Sequence, residues 1–274
     1  MLSVSNNLTG LKNLALFIFL FSVSASFSYA QNKRSSWNGK RCAVVLTYDD
    51  GTDFHLDNVI PVLDSLGIKA TFYIPGHSKC LYERMDEWKA VAQNGHELGN
   101  HTMFHPCHGK SLGRKWVNPD YDLDNYTVSR FINEVRVNNT LLKAVDGKEK
   151  RTFAYTCGDM SVNEGSFVPL LKKMFVAARG TKRGLNFIDS VDLFDIKIFG
   201  VHKQTSEELI KQVKKAKKEN ALLVFLFHGV GGGSPYSIST EEHSKFVHYL
   251  KQNEKDMWVA PMVEVANYIL SHKK

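Results

Sequence analysis

From residue 43 onward, short apolar or β-branched runs alternate with amphipathic stretches. Residues 43–48, 70–74, 97–99, 152–155, 176–178, 196–201, 221–227 and 257–260 read as strands. Residues 56–66, 83–93, 124–145, 167–175, 206–219, 240–253 and 263–270 read as helices, with Gly67 a stop signal and Ser206 a cap. Residues 106–122, with Gly109, Gly113 and Pro119, read as a long loop. Strands that are apolar on both faces and followed by helices predict a helix-covered parallel sheet. About eight such units fit an α/β fold, a closed or distorted (β/α) barrel in a single domain; a doubly wound open sheet is the alternative. The lysine-rich stretch 211–218 reads as the solvated face of a helix above Leu209, Val213 and Ala216.

The first 30 residues follow another pattern. Lys12 is their only charge, and residues 14–21 form an apolar run of eight that Ser22 and Ser24 interrupt. A bilayer-spanning helix needs about 20 apolar residues. Ser28-Tyr29-Ala30 ends on a small residue. Residues 1–30 are therefore expected to be a signal peptide, and 31–274 an exported chain, periplasmic or secreted, with no stable membrane insertion after cleavage.

Composition adds only limits. Hydrophobic residues at 43% and charged residues at 23% exclude a disordered tail, a collagen and a multi-pass membrane protein. The net charge of +7 permits an anionic partner, but export and scattered charge argue against nucleic acid. The chain is expected to be a monomer. Cys42, Cys80, Cys107 and Cys157 are widely spaced with no CxxC, which argues against a structural zinc site. A Cys107–Cys157 bridge and four unpaired thiols both remain open at this stage.

Three polar clusters stand at expected strand ends, where such folds place their chemistry. Thr47-Tyr48-Asp49-Asp50-Gly51 follows the first strand. Two adjacent carboxylates stay ionised more easily beside a cation, and Gly51 permits the bend that would turn both to one site. Taken alone, Asp-Asp-Gly equally describes a surface turn. In the stretch 95–106, His101 and His105 have the i, i+4 spacing that a helical turn places on one side. With Asp50 they make a two-histidine, one-carboxylate set suited to a divalent metal. His228 ends the most apolar strand and is placed to act as a general acid, although a buried core histidine would look the same. The glycine-rich stretch 231–234 lacks the lysine and helix start of a phosphate loop.

The order Thr47-Tyr48-Asp49-Asp50-Gly51, then His101-Thr102-x-x-His105, then Leu226-x-His228 resembles polysaccharide deacetylases with a NodB homology domain, carbohydrate esterase family 4. The resemblance covers nearly the whole chain after residue 30. It implies a distorted (β/α) barrel. It also implies a metal-dependent hydrolase that removes acetyl groups from an acetylated glycan, as an N-acetylglucosamine-type amide or an O-acetyl ester. Asp49 would be the general base. Asp50, His101 and His105 would bind a divalent ion, usually zinc, with cobalt, nickel or manganese as substitutes. His228 would be the general acid, and the Cys157 backbone N–H the oxyanion donor.

The chain departs from the family pattern in two places. The family's Arg-Pro-Pro-Tyr-Gly stretch corresponds to Ala154-Tyr155-Thr156-Cys157-Gly158, so the arginine that orients the base is missing; Arg151 lies three residues earlier. The family's Asp-Trp pair corresponds to Asp192-Leu193, with Asp192 expected to hold His228. Among aromatics able to stack on sugar rings, Trp116 in the long loop ranks first, before Tyr155, Phe104 and Trp88. The rival readings are a catalytically degenerate, carbohydrate-binding relative and an adhesive envelope protein.

Overall fold

A computed structural model describes residues 37–273 together with Met1. Apart from Met1, the expected signal segment lies outside the described residues. Eight parallel strands form the main sheet: β1 (Cys42–Asp49), β2 (Thr71–Ile74), β3 (Glu97–Asn100), β4 (Phe153–Ala154), β5 (Ala178–Arg183), β6 (Ile196–Gly200), β7 (Leu222–Phe227) and β8 (Met257–Val259). Their order is β8-β1-β2-β3-β4-β5-β6-β7, and β7 pairs again with β1. Seven strands thus close a barrel. The eighth, β8, pairs with β1 at Cys42–Val44, below the stretch Thr47–Asp49 where β2 attaches. The expected barrel is the fold observed, and the open sheet is excluded.

Closure follows from the apolar strands. Alternate β1 side chains enter two separate clusters. Val44, Leu46 and Tyr48 pack with Leu63, Leu209, Val213, Phe246 and Val247. Ala43 and Val45 pack with Leu222, Val224, Met262, Val265 and Ile269. The helices that supply these contacts are α1 (Ile60–Ser65), α6 (Ser206–Glu219), α7 (Thr240–Gln252) and α8 (Met262–His272). Between them in the chain lie α2 (Lys79–Glu83), α3 (Met85–Gln93), α4 (Val128–Asp146) and the short α5 (Val168–Leu171). Among the described residues no helix is long and apolar enough to cross a membrane.

Several element boundaries differ from the sequence pattern, each for a local reason. The helix expected over 56–66 begins as a π-helical turn, His55–Val59, before α1. The helix expected over 83–93 is broken at Arg84, whose guanidinium ties together Asp53, Asp57 and Glu87. Thr127, not Asp124, caps α4, accepting from the Arg130 N–H. The helix expected over 167–175 is only the single turn of α5. The strand expected over 176–178 is shifted and runs on through the polar residues 179–183.

Two buried polar residues near the second motif serve the fold. Glu97 accepts from Thr152 N–H and Oγ1 at 2.7 Å each, from Thr71 Oγ1 at 2.8 Å and from Val263 N–H at 2.9 Å. It thereby fastens β2, β4 and the start of α8 to β3. A buried carboxylate with four donors is a satisfied structural group. His96 bridges the Ala70 N–H and Asp64. Gly99 lets β3 approach the Tyr73 ring; a Cβ there would fall 2.4 Å from it.

Candidate active site

The three clusters meet at one mouth of the barrel. A cavity of about 640 Å³ is lined by Asp49, Asp50, His101, His105, Cys157 and His228, together with Trp116, Tyr155 and the loop residue Tyr236.

Asp49 ends the β1 face that carries Val45 and Thr47, so its buried carboxyl points where those side chains point. Simple alternation would turn Asp50 the other way. Instead Asp50 has φ of 79°, and the chain bends at this residue. Gly51 continues the left-handed stretch at φ 54°, pressed against Ile74, where a Cβ would fall 2.7 Å from that side chain.

His101 and His105 do converge, but not as a helical pair: residues 101–106 form an irregular loop. Asn100, at the end of β3, accepts from the Thr102 N–H at 2.7 Å, and Thr102 Oγ1 accepts from the His105 N–H at 2.9 Å. Thr102 and His105 both adopt positive φ, at 64° and 54°. Non-glycine residues in this region cost of order 1 kcal/mol each and persist where surrounding bonds over-determine them. The outcome is a tight turn with the two imidazole centroids 4.8 Å apart.

His101 Nδ1 donates to the Ala154 carbonyl at 2.9 Å, which leaves Nε2 as the free lone pair. That Nε2 is 3.8 Å from Asp50 Oδ1, and His105 Nε2 is 3.6 Å from the same oxygen. Ligand atoms of Asp50, His101 and His105 lie within 4.8 Å of one another. Burial lowers the His101 pKa to about 4, so it is neutral, as metal ligation requires. One carboxylate and two imidazoles, that of His101 with its tautomer fixed, fit a divalent transition metal.

The arginine missing from the Ala154–Gly158 stretch comes from the next barrel strand. Arg179, fully buried on β5, donates to Asp49 Oδ1 and lies over the Tyr73 ring at 4.8 Å. Burial opposes ionisation of Asp49, yet Arg179, aided by His101 and His228, holds its pKa below the ordinary value. The sequence carried one weak signal for this residue: an arginine directly after the apolar run Val176-Ala177-Ala178, where an outward position should not be buried. Arg151 does not reach the site. It is buried against Asp146, Leu98 O and Lys148 O.

Asp192 is likewise elsewhere. It is exposed, and its Oδ1 accepts from the Phe194 N–H at 2.8 Å, capping its own turn. His228 Nδ1 has no hydrogen-bond partner, and the Tyr236 ring packs 5.6 Å from the imidazole.

Cys107 and Cys157 are bonded to each other with their Cα atoms 5.8 Å apart, whereas Cys42 and Cys80 are free and buried. The bridge joins the long loop to the turn after β4, where Cys157 has φ of 55°. Carboxylates fasten the rest of that loop: Asp122 accepts from the Gly109 and Lys110 N–H groups, and Asp124 from Ser111 and His108. Trp116 is left 68% exposed on the cavity wall, and Tyr236 faces the mouth at 55%. Tyr155 is a wall residue whose hydroxyl donates to Phe194 O. Trp88 is wholly buried in the core, and Phe104 stacks on Tyr121; neither lines the cavity.

The mouth of the parallel barrel thus holds a carboxylate–arginine pair beside a two-histidine, one-carboxylate set whose donors fit a divalent metal. Residues 38–168 match the family Polysaccharide deacetylase, which this chain resembles over that stretch. It is 34% identical over 85 residues to a peptidoglycan-N-acetylglucosamine deacetylase of Bacillus cereus, covering 29% of this chain and 30% of that one. It is 24% identical over 200 residues to a gellan lyase of a Bacillus species, covering 72% of this chain and 7% of the other. The chain thus spans less than a third of either curated relative. In fold it is similar to the crystal structure of a candidate polysaccharide deacetylase from Mycobacterium smegmatis, with TM-score 0.58, 14% identity, and coverage of 85% and 91% of the two chains.

Proposed function

We propose that this protein is a metal-dependent hydrolase that removes acetyl groups from an acetylated polysaccharide or oligosaccharide. The observation that carries the reading is the buried Arg179–Asp49 pair beside the Asp50, His101 and His105 set: a base and a metal site side by side in one mouth. When bound by those three residues, a divalent ion, most simply zinc, supplies positive charge that polarises an acyl carbonyl and acidifies water.

The chain's own groups do the rest. Arg179 occupies Asp49 Oδ1, leaving Oδ2 turned towards His101 Nε2 at 3.8 Å. Oδ2 takes the proton of the attacking water. The Cys157 N–H donates to the oxyanion as the carbonyl carbon becomes tetrahedral. His228 gives a proton to the departing nitrogen or oxygen, and acetate is released. Trp116, exposed on the cavity wall, is the face against which a sugar ring rests, whereas Tyr155 is buried behind that wall.

Acetate release from a panel of N-acetylated and O-acetylated glycans tests the reading. It is expected as purified, lost on chelation, and restored by zinc, cobalt or nickel. Release from only one half of the panel assigns amide or ester chemistry. No release with one equivalent of metal bound would instead mark a carbohydrate-binding relative without turnover. Trp116→Ala is expected to raise KM about two- to tenfold with kcat and thermal stability unchanged. Losing one stacking contact costs about 0.5–1.5 kcal/mol, and an exposed indole holds little of the fold.

A further inference from the structure

His55 is a buried imidazole that the proposed chemistry does not use. It opens the π-helical turn His55–Val59 that follows the first motif. Its two nitrogens are both engaged. Nδ1 accepts from the Thr52 N–H at 3.3 Å, and Nε2 lies 2.5 Å from the carbonyl oxygen of His228. A backbone N–H can only donate, so Nδ1 is the acceptor and the proton sits on Nε2, which donates to His228 O. Burial lowers the His55 pKa, so this neutral tautomer holds.

The bond falls where the sheet stops. Pairing of β7 with β1 ends at Phe227, opposite Tyr48, so the His228 carbonyl lies just beyond the ladder. The His228 ring gives no help, since its Nδ1 has no partner. Beside the packing of the Tyr236 ring, its direction is set through the backbone. The same π-helical turn holds the next carbonyl but one: Asn58 Nδ2 donates to Val230 O at 2.8 Å. Phe54, just before the turn, sits under Gly232 and Gly233 so closely that a Cβ on either would fall within 2.8 Å of its ring. π-Helical turns recur at functional sites, and here the turn after the base motif grips the loop of the acid.

We infer that His55 is the positioning residue of the general acid, aiming the His228 imidazole into the cavity by fixing the His228 peptide plane. This rests on the deacetylase reading above, and takes the place of the carboxylate support that Asp192 does not provide.

The test uses the purified protein with His55→Phe, which fills the space without a donor, and His55→Gln, whose side-chain N–H reaches towards the same carbonyl. His55→Phe is expected to lower kcat for acetate release ten- to hundredfold, the usual scale for a misplacement of about 1 Å, with KM within twofold and bound zinc unchanged. His55→Gln is expected to recover most of that loss. In a His228→Ala background, His55→Phe should cost nothing more, because its effect passes through the missing ring. A full additional loss in that background would overturn the proposal, as would wild-type kcat in His55→Phe or loss of zinc. Proton–carbon NMR signals of the His228 imidazole give a reading that needs no turnover. They are expected to shift or double in His55→Phe and return in His55→Gln. Should no glycan release acetate, a shifted signal still supports the positioning contact while the deacetylase reading fails. An unchanged signal in His55→Phe overturns the contact itself.

Discussion

Asp49→Asn is expected to lower acetate release by about 10²–10⁴-fold while leaving the metal bound, because an amide cannot take a proton from water. The change is nearly isosteric, and the amide oxygen still accepts from Arg179, so the barrel should remain folded. The proposed metal ligands are other side chains: Asp50, His101 and His105. His101→Ala should give the opposite signature, with zinc affinity lost first and turnover lost as a result. Zinc content by elemental analysis and initial rates of acetate release separate the two cases. An Asp49→Asn protein with full activity would remove Asp49 from its role as base.

Arg179→Leu has the second large effect, and on two readouts. Asp49 and Arg179 are both buried, so deleting the cation leaves an uncompensated carboxylate in the barrel. Breaking such a pair from one side costs about 3–5 kcal/mol, a large part of a stability of roughly 5–15 kcal/mol. Chemical unfolding should show this directly. The sign with pH follows from the direction of the shift. The native Asp49 pKa is depressed, so its stabilisation is complete above the ordinary carboxylate value and is lost as pH falls through the lowered one. Without Arg179, burial dominates and pushes the Asp49 pKa upward. The acid limb of the rate profile should then move to higher pH, with kcat at neutral pH reduced at least tenfold. Arg179→Lys keeps the charge without the planar fork and should fall between the two. An Arg179→Leu protein with unchanged stability and profile would show that the pair does not tune the base.

The parts of the site legible in the sequence are those set by local chain pattern. Asp49-Asp50 and His228 stand at the ends of strands whose apolar runs announce them, His101-His105 follows the short strand Glu97–Asn100, and parallel strands bring such ends together. What eluded the pattern depends on distant chain. Arg179 meets Asp49 across 130 residues of sequence, and its strand turns polar where hydrophobic periodicity stops giving a signal. The i, i+4 histidines suggested a helix, but Asn100 and Thr102 side chains compete for the backbone and wind a tighter loop. The likeness of Asp192-Leu193 to the family's Asp-Trp pair does not fix the path of the loop that carries it. His55 carries no signal in the sequence, because its partner is a backbone carbonyl that leaves no mark there.

The Cys107–Cys157 bridge has a consequence for the unfolded chain. It closes a loop across a separation of 50 residues, and in the chain-entropy view a crosslink of that span disfavours the unfolded ensemble by about 4 kcal/mol. The enclosed stretch holds α4 and β4 but neither β1 nor β7, the strands whose pairing closes the barrel. The two halves of the mouth are thus secured by different means. Asp49 stands on a hydrogen-bonded ladder and His228 directly follows one, both indifferent to redox conditions. The Trp116 loop and the Cys157 turn are secured by a covalent tie that forms only where thiols are oxidised, so the compartment in which the chain folds decides how firmly that half of the mouth is held.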